Sequence, residues 1–333
     1  TAPAMSWSDN QVTDIYGELI DSGHTAVQEL ATRFGLTLTD SLAAEPAGST
    51  ETWYFGGDYF SQAEADTEFS AFYDAMIADA EAAGWPVTYD TVNDAGRTLD
   101  DLSIYDWIES RVPGGHTSRI GTLLDVAYCM EYGADTTDQS ALNLLAMLSG
   151  SGPELAVLGE SDEQFRIEGG VDQVPRAIAD HLGLDSAVKL GFDFQSIRLE
   201  SDGTYTLTFD SAAGSSEVPA DYVILAIPFS ALRTRDYADA GFDALKAQAI
   251  EQQGAGHNGK IQLQFSSRLW NEAGPWGVST GSSYSETGYQ LSWDPTRGQP
   301  GASGILVGYN GGSAAAAMNI NHPYGNNGTA QVV

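Results

Sequence analysis

The stretch Lys260-Ile261-Gln262-Leu263-Gln264-Phe265 places an apolar side chain at every second position. This period of two is typical of a β-strand whose two faces differ in polarity. Two further strands are predicted after it, at residues 289–293 and 305–309. The last third of the chain is therefore predicted to form a sheet.

The region before this sheet mixes helix and strand. Residues 171–182 have the apolar spacing of a helix, and residues 194–199 and 205–209 are predicted strands. Residues 221–227 form a continuous apolar run that Pro228 ends. Such a run is typical of a strand buried on both faces of a layered α/β domain.

The first half of the chain is predicted to be mainly helical, with a hairpin at the aromatic, Gly-rich stretch 52–60. The order of helices, mixed α/β and strands predicts an α/β (α+β overall) protein of two domains that the chain crosses more than once. The predicted helices of this half cover residues 22–35, 65–83, 103–111, 117–130 and 137–148.

The charge balance excludes some partners. The 333 residues include 46 acidic residues against 14 Lys and Arg, a formal net charge of −32. Such a surface repels nucleic acid and anionic lipid, so neither is expected as a partner. The acidic residues are spread along the chain, which indicates a solvated acidic surface typical of a salt-adapted bacterium.

Membrane and metal chemistry are not predicted either. No run of about 18 apolar residues exists, so we expect a soluble protein, cytoplasmic or secreted. Cys129 is the single cysteine, and the five histidines are widely dispersed. These residues do not form the spacing of a metal site.

A literal G-x-G-x-x-G motif occurs at residues 254–259. A dinucleotide-binding loop needs a strand before it and a helix after it. Here a predicted helix precedes the motif and the strand at Lys260 follows it. The motif is therefore interpreted as a turn.

Five segments in order resemble the flavin monoamine oxidase family, which includes the L-amino-acid oxidases. They are residues 14–21 (DIYGELID), 168–177 (EGGVDQVPRA), 188–199, 221–228 (DYVILAIP) and the strand that Lys260 opens. The resemblance implies FAD as cofactor. It also implies an FAD-binding Rossmann-like domain interleaved with a helical-plus-sheet substrate domain.

The resemblance assigns cofactor contacts to this chain. Gly17 and Glu18 match the segment where a pair of glycines passes close to the flavin, although Tyr16 replaces the first glycine. Phe194 matches a backbone contact to the adenine. The loop that approaches the cofactor from behind matches Ala226, Ile227 and Pro228.

Lys260 matches the family's lysine that holds a water against the flavin, and it is the predicted catalytic residue. A cation there favours negative charge on the reduced flavin and on superoxide. Residue type alone favours a surface lysine at a strand start, and the match of the flanking residues favours the role beside the flavin. Trp53, Tyr54, Tyr128 and Tyr132 are candidates for the pocket lining, with the hydrophobic core as the alternative.

The family's architecture implies domain boundaries. Residues 1–47 and 158–253 are expected to form the FAD-binding domain, residues 48–157 and 254–318 the substrate domain, and residues 319–333 a tail. The family's N-terminal βαβ unit and its C-terminal flavin-closing segment are not found here. We therefore expect a fragment of a longer protein or a truncated gene.

The expected reaction is oxidation of a primary or secondary amine to an imine, with O₂ reduced to H₂O₂. The substrate could be an amine, a polyamine or an L-amino acid. The sequence does not determine the oligomeric state, and a homo-oligomer is possible. No Arg lies near residues 17–21, which favours a plain amine or polyamine. The alternatives are an inactive chain and a related flavin desaturase or oxidase acting on C–C bonds.

Overall fold

The computed structural model describes residues 5–150, 152–184 and 186–318. The predicted tail at 319–333 lies outside the described residues. The chain divides into two compact units, Thr1–Val174 with Gly256–Val333 (unit 1) and Pro175–Ala255 (unit 2). These bounds are drawn from contacts, and the domain boundaries that the resemblance implies stay a prediction.

The described residues form eleven α-helices, and seven of them lie in the first half of the chain. They are α1 (Thr25–Arg33), α2 (Gln62–Ser70), α3 (Tyr73–Ala83), α4 (Asp94–Asp100), α5 (Ile104–Arg111), α6 (Arg119–Tyr132), α7 (Ala141–Leu148), α8 (Gln173–Leu182), α9 (Phe229–Leu232), α10 (Ala244–Gln252) and α11 (Gly312–Ala317). None of these helices is both long and apolar enough to cross a membrane.

The strands of unit 1 are β1 (Met5–Ser6), β2 (Val12–Thr13), β3 (Leu38–Asp40), β4 (Trp53–Phe55), β5 (Asp58–Phe60), β6 (Phe165–Ile167), β10 (Asn258–Phe265), β11 (Ser283–Tyr284), β12 (Leu291–Trp293) and β13 (Gly304–Gly311). Those of unit 2 are β7 (Asp193–Leu199), β8 (Tyr205–Ser211) and β9 (Gly214–Ala220). The predicted hairpin at 52–60 is confirmed by the antiparallel pair β4 and β5.

The core of unit 1 forms around α6, which is apolar on nearly every side. Ser118 caps the helix by accepting a hydrogen bond from the Gly121 backbone N–H, and Gly133 ends it in the left-handed conformation. Tyr128 is fully buried, and its hydroxyl donates to the Val157 carbonyl at 3.0 Å. A helix that is apolar all round is stable only when other elements cover it.

A four-stranded antiparallel sheet in unit 1 has the order β10-β13-β12-β11. Lys260 on β10 and Leu291 on β12 both stand opposite Tyr309 on β13. Opposed residues point to the same face of a sheet, and so do residues two apart on one strand. Lys260, Gln262 and Trp293 therefore share one face.

The polar residues of β10, not the apolar ones, face the protein. Gln264 accepts from the Ser8 backbone N–H at 3.1 Å, and Gln262 donates to the Asp14 carbonyl at 2.8 Å. These glutamines satisfy the backbone of an N-terminal segment that has little regular structure, as buried backbone groups require. Leu263 and Phe265 consequently lie on the more exposed face.

The predicted helix at 65–83 is two helices. Phe72 interrupts it with a ψ of 3°, and its fully buried ring packs edge-on against Trp107 at 6.2 Å between ring centroids. The apolar spacing is continuous across this break, so the sequence alone does not reveal it. The break places the buried ring of Phe72 against Trp107 of α5.

Unit 2 contains the antiparallel meander β7-β8-β9. Ile197 and Leu207 stand opposite each other and form its small core. The strands predicted at 194–199 and 205–209 are confirmed by β7 and β8.

The strand predicted at residues 221–227 is wrong. No described strand pairs with it, and it is irregular. Val223 and Leu225 pack on the core of unit 2, while Tyr222 and Ile224 are more than 90% exposed. The apolar run therefore corresponds to a segment that is buried on one face only. A β-strand also needs a neighbouring strand to which it is hydrogen-bonded.

Candidate functional site

Lys260 lies in unit 1 at the centre of a small polar cluster. Its Nζ donates to the Tyr16 carbonyl at 2.8 Å and lies 3.4 Å from Glu18 Oε2. It also lies 5.0 Å from the centre of the Trp293 ring, which is a cation–π distance. The side chain is only 14% exposed, so Lys260 is not a surface lysine.

Glu18 is the negatively charged member of the cluster. Its side chain is 5% exposed, and its second oxygen accepts a hydrogen bond from Trp293 Nε1 at 2.6 Å. Both carboxylate oxygens are thus engaged, one by a cation and one by an indole N–H. A buried carboxylate requires this kind of compensation.

Gly17 lies between these contacts and has an open flank. A Cβ added there would meet nothing within 4 Å, and the backbone is not in the left-handed region. Gly17 therefore leaves a free surface directly beside the carbonyl that Lys260 binds. The neighbouring Tyr16 is 72% exposed, so its side chain does not fill this space with core packing.

Asp14 connects the N-terminal segment to the Gly169-Gly170 turn. Its carboxylate accepts from the Val171 backbone N–H at 3.1 Å. Burial and the nearby carboxylate of Glu18 raise the pKa of Asp14 to about 6. Two of the motifs quoted from the sequence, at 14–21 and 168–177, therefore meet through one hydrogen bond.

The turn itself requires glycine. Gly169 and Gly170 have φ values of 85° and 108°, which are strained for any residue with a Cβ. Gln173 folds back over the turn, and its Nε2 donates to the Glu168 and Gly170 carbonyls at 2.6 and 2.9 Å. The first residues of α8 are fixed in this way.

The other predicted contacts lie in unit 2. Phe194 is half-buried on β7 and stands opposite Phe209, with ring centroids 5.8 Å apart. Ala226, Ile227 and Pro228 form an exposed loop that leads into α9. The structure thus brings Gly17, Glu18 and Lys260 together in unit 1, and the roles of the unit 2 residues stay predictions.

The candidate pocket aromatics divide by burial. Trp53 and Tyr128 belong to the hydrophobic core of unit 1. Tyr132 is half-buried beside that core, and Tyr54 is half-buried on the β4–β5 hairpin. The core alternative is therefore confirmed for Trp53 and Tyr128.

A second group of carboxylates in unit 1 has unusual proton affinity. Burial, together with the carboxylates of Glu131, Asp21 and Glu51, raises the pKa of Glu163 to about 7. Burial also raises the pKa of Glu131 and of Glu51. Arg297 opposes the shift at Glu163 and Glu51, but its own ion pair is with Glu45.

Sequence reasoning missed two members of the Lys260 cluster. Trp293 contacts both charges, yet in the sequence it is one aromatic residue at the end of a predicted strand. Asp14 was part of a quoted motif but received no role. The strand register could have indicated Trp293, because it places residues 260 and 293 on one face of the sheet.

The cluster has the features that a flavin would need on this side. An ammonium has three N–H groups, and described residues accept from two of them. One N–H of Lys260 therefore remains for a water or a cofactor atom. The open flank of Gly17 leaves its backbone accessible, as close approach of a flat ring would require, so these residues fit the group. No three or more described His, Cys, Asp or Glu side chains are arranged to hold a metal ion.

Solved structures give similar folds. A redesigned putrescine oxidase matches with a TM-score of 0.76 and 19% identity, over 95% of this chain and 68% of its own. Wild-type putrescine oxidase bound to putrescine matches with a TM-score of 0.75 and 19% identity, over 95% of this chain and 68% of its own. Cyclohexylamine oxidase from Brevibacterium oxydans matches with a TM-score of 0.75 and 19% identity, over 97% of this chain and 68% of its own. These matches confirm the predicted α/β fold.

A protein-family comparison gives the stronger result. The model described as "Flavin containing amine oxidoreductase" matches residues 7–321, nearly the whole chain. A search of curated proteins finds no match. The family match confirms the resemblance noted in the sequence and the FAD cofactor that it implies. The chain belongs to the family of flavin-containing amine oxidoreductases.

Proposed function

We propose that this protein oxidises a primary or secondary amine to an imine with FAD, and that O₂ is reduced to H₂O₂. The observation that carries the proposal is the position of Lys260. Its ammonium is held at the carbonyl before Gly17, whose flank is open. Family membership supports the reaction class, and the open flank of Gly17 beside Lys260 supports the proposed location.

The chemistry that a bound FAD supplies is acceptance of a hydride from the carbon that bears the amine, followed by transfer of both electrons to O₂. The residues of this chain would act around that step. Gly17 would admit the flat ring. Lys260 would donate its remaining N–H to a water or a cofactor atom, and its charge would favour negative charge that develops nearby.

Asp14 and Glu18 would set the electrostatics behind Lys260. Glu18 is held by Lys260 and Trp293. The pKa of Asp14 is raised to about 6, so this carboxyl gains a proton in mildly acidic solution. Protonation of Asp14 removes a negative charge close to the pair, and activity would then change around pH 6.

The substrate class is proposed as an amine or polyamine without a carboxylate. No Arg lies in residues 17–21, where some relatives that oxidise amino acids carry one. The similar structures are named for putrescine and cyclohexylamine, both of which lack a carboxylate. The strongly acidic composition also favours cationic substrates over anionic ones.

The test is anaerobic mixing of the FAD-loaded chain with putrescine, cyclohexylamine or an L-amino acid. The proposal predicts loss of the visible flavin absorbance with the first two, and release of H₂O₂ when O₂ is admitted. Reduction by the amino acid alone would overturn the substrate class. A flavin that stays oxidised with every amine would contradict the proposed function, and reduction only by C–C substrates would favour a desaturase.

A further inference from the structure

We propose that Glu18 and Trp293 are positioning residues that hold the Lys260 ammonium at one fixed point in unit 1. The proposal rests on the function proposed above, because it concerns the same lysine. It adds that the lysine does not act alone: a carboxylate and an indole fix where its charge lies. The family resemblance implied a cofactor contact for Glu18 and no role for Trp293.

Three groups, from two separate parts of the chain, hold the ammonium. The Tyr16 carbonyl accepts from Nζ at 2.8 Å, Glu18 Oε2 lies at 3.4 Å, and the Trp293 ring centre lies at 5.0 Å. Tyr16 and Glu18 belong to the N-terminal segment, and Trp293 belongs to β12. A flexible four-carbon side chain held from three sides keeps one position.

Glu18 cannot be replaced in this task by solvent. Its residue is 6% exposed, and its other oxygen accepts from Trp293 Nε1. Removal of Glu18 would leave a largely buried ammonium without its ion-pair partner, and removal of Lys260 would do the same to the carboxylate. Each charge therefore depends on the other, as in other buried ion pairs.

Trp293 contacts both members of the pair. Its N–H binds Glu18, while its ring face lies against Lys260. Its own orientation is fixed by Tyr309, whose ring packs edge-on at 5.7 Å between centroids. Tyr309 stands opposite Lys260 across the β10–β13 ladder, so the sheet register ties all these side chains together.

The consequence is a fixed direction for the remaining N–H of Lys260. A donor that is already oriented needs no reorganisation when charge develops beside it. Without the two positioning residues, the ammonium would sample other rotamers and reach solvent. The proposal is thus about placement, and it can be tested on the protein without substrate.

The first experiment measures acetylation of individual lysines by acetic anhydride, followed by peptide mass spectrometry on the folded chain. Lys246 is exposed on α10 and serves as the internal reference. In the wild type, Lys260 should react at least tenfold more slowly than Lys246. Glu18→Gln should raise the ratio of Lys260 to Lys246 labelling several-fold, and Trp293→Phe should raise it less.

Two controls separate placement from general loosening. Glu200→Gln removes a surface partner of Arg198 and should leave the Lys260 ratio unchanged. Glu18→Asp keeps the charge and should restore part of the protection. Wild-type Lys260 that reacts as fast as Lys246, or a Glu18→Gln ratio equal to the wild-type ratio, would overturn the proposal.

A second experiment guards against a Glu18→Gln protein that unfolds. The melting temperatures of Glu18→Gln, Lys260→Met and the double variant form a cycle. The melting temperature of the double variant should fall by less than the sum of the decreases in the two single variants, because the double variant leaves neither charge of the pair without its partner. Additive losses would show that the two residues do not act on each other and would overturn the proposal.

Failure of this proposal differs from failure of the proposed function. If Lys260 is protected in a chain that does not oxidise amines, the proposed function fails and the proposed placement of Lys260 stands. If Lys260 is unprotected in a chain that oxidises amines, the proposed function stands and the proposed placement fails. The acetylation test needs neither FAD nor substrate, so the two results are independent.

Discussion

Lys260 has two meanings by residue type alone, a surface charge or a group that assists a cofactor. The sequence predicted its strand and, through the family resemblance, its role. It did not predict the ion pair with Glu18, which lies 242 positions earlier. Partners at that separation are set by the folded chain, and no periodic pattern reveals them.

Replacement of Lys260 by Met should slow reoxidation of the reduced flavin by O₂. Met keeps the length of the side chain and removes the charge, so negative charge on reduced flavin and superoxide loses its stabilisation. We expect a loss of at least about tenfold, by analogy with loss of single preorganised donors. Stopped-flow mixing of the reduced protein with O₂ measures it. Equal rates in Lys260→Met and the wild type would remove Lys260 from the mechanism.

Replacement of Glu163 by Gln should stabilise the protein in alkaline solution. The pKa of Glu163 is raised from 4.5 to about 7 in the folded protein. The folded state therefore holds a proton that the unfolded chain releases, so the stabilising contribution is complete below pH 4.5. It is lost as the pH rises through about 7. The Gln variant should be more stable at pH 8 by about 1–3 kcal/mol, and nearly unchanged at pH 4.5.

Urea unfolding at both pH values measures the effect of the Glu163→Gln change. Glu200→Gln, at a surface ion pair of unit 2, is the control and should give no gain at pH 8. A Glu163→Gln protein that gains as much at pH 4.5 as at pH 8 would show that proton uptake is not the cause.

At the scale of elements, the sequence predicted best where local chemistry decides. The helix predicted at 117–130 is close to α6, whose ends Ser118 and Gly133 mark. The strand at 221–227 failed because pairing with a neighbour is not a local property. Polarity also does not predict which face of β10 points inward. The inward face carries the glutamines, because they bind the backbone of another segment.

Close packing between α6 and β13 gives a prediction at this scale. A Cβ at Gly311 would lie 2.2 Å from the Cys129 carbonyl oxygen, although the backbone conformation is ordinary. Gly311→Ala should therefore cost about 1–3 kcal/mol or more through overpacking. Gly23→Ala meets open space and is the control. Equal melting temperatures for the two variants would show that β13 does not pack on α6 as described.

At the scale of the whole molecule, the family resemblance predicted more than periodicity did. The order of helices and strands predicted the α/β class, and the resemblance added the flavin and the residues that meet around Gly17. Periodicity alone gave helices and strands without their arrangement. The division into units 1 and 2 follows from contacts between distant segments, which neither composition nor spacing contains.

The net charge of −32 predicts that salt stabilises the chain. Like charges on a compact surface repel one another, and unfolding separates them. Raising ionic strength from about 0.01 M to about 1 M shortens the Debye length from about 30 Å to about 3 Å. The melting temperature in NaCl should rise over this range. A flat or falling melting temperature would contradict self-repulsion as a limit on stability.

The central claim is that a flat cofactor lies against Gly17 beside Lys260, and an FAD titration tests it most directly. We predict that the wild-type chain and Gly23→Leu bind FAD equally. Gly17→Leu should bind FAD at least about tenfold more weakly, a difference of about 1.4 kcal/mol, because its side chain fills the open flank. Both glycines have ordinary backbone angles and open surroundings, so folding is not at stake. Binding that Gly17→Leu leaves unchanged, or no FAD uptake by the wild type, would contradict the account.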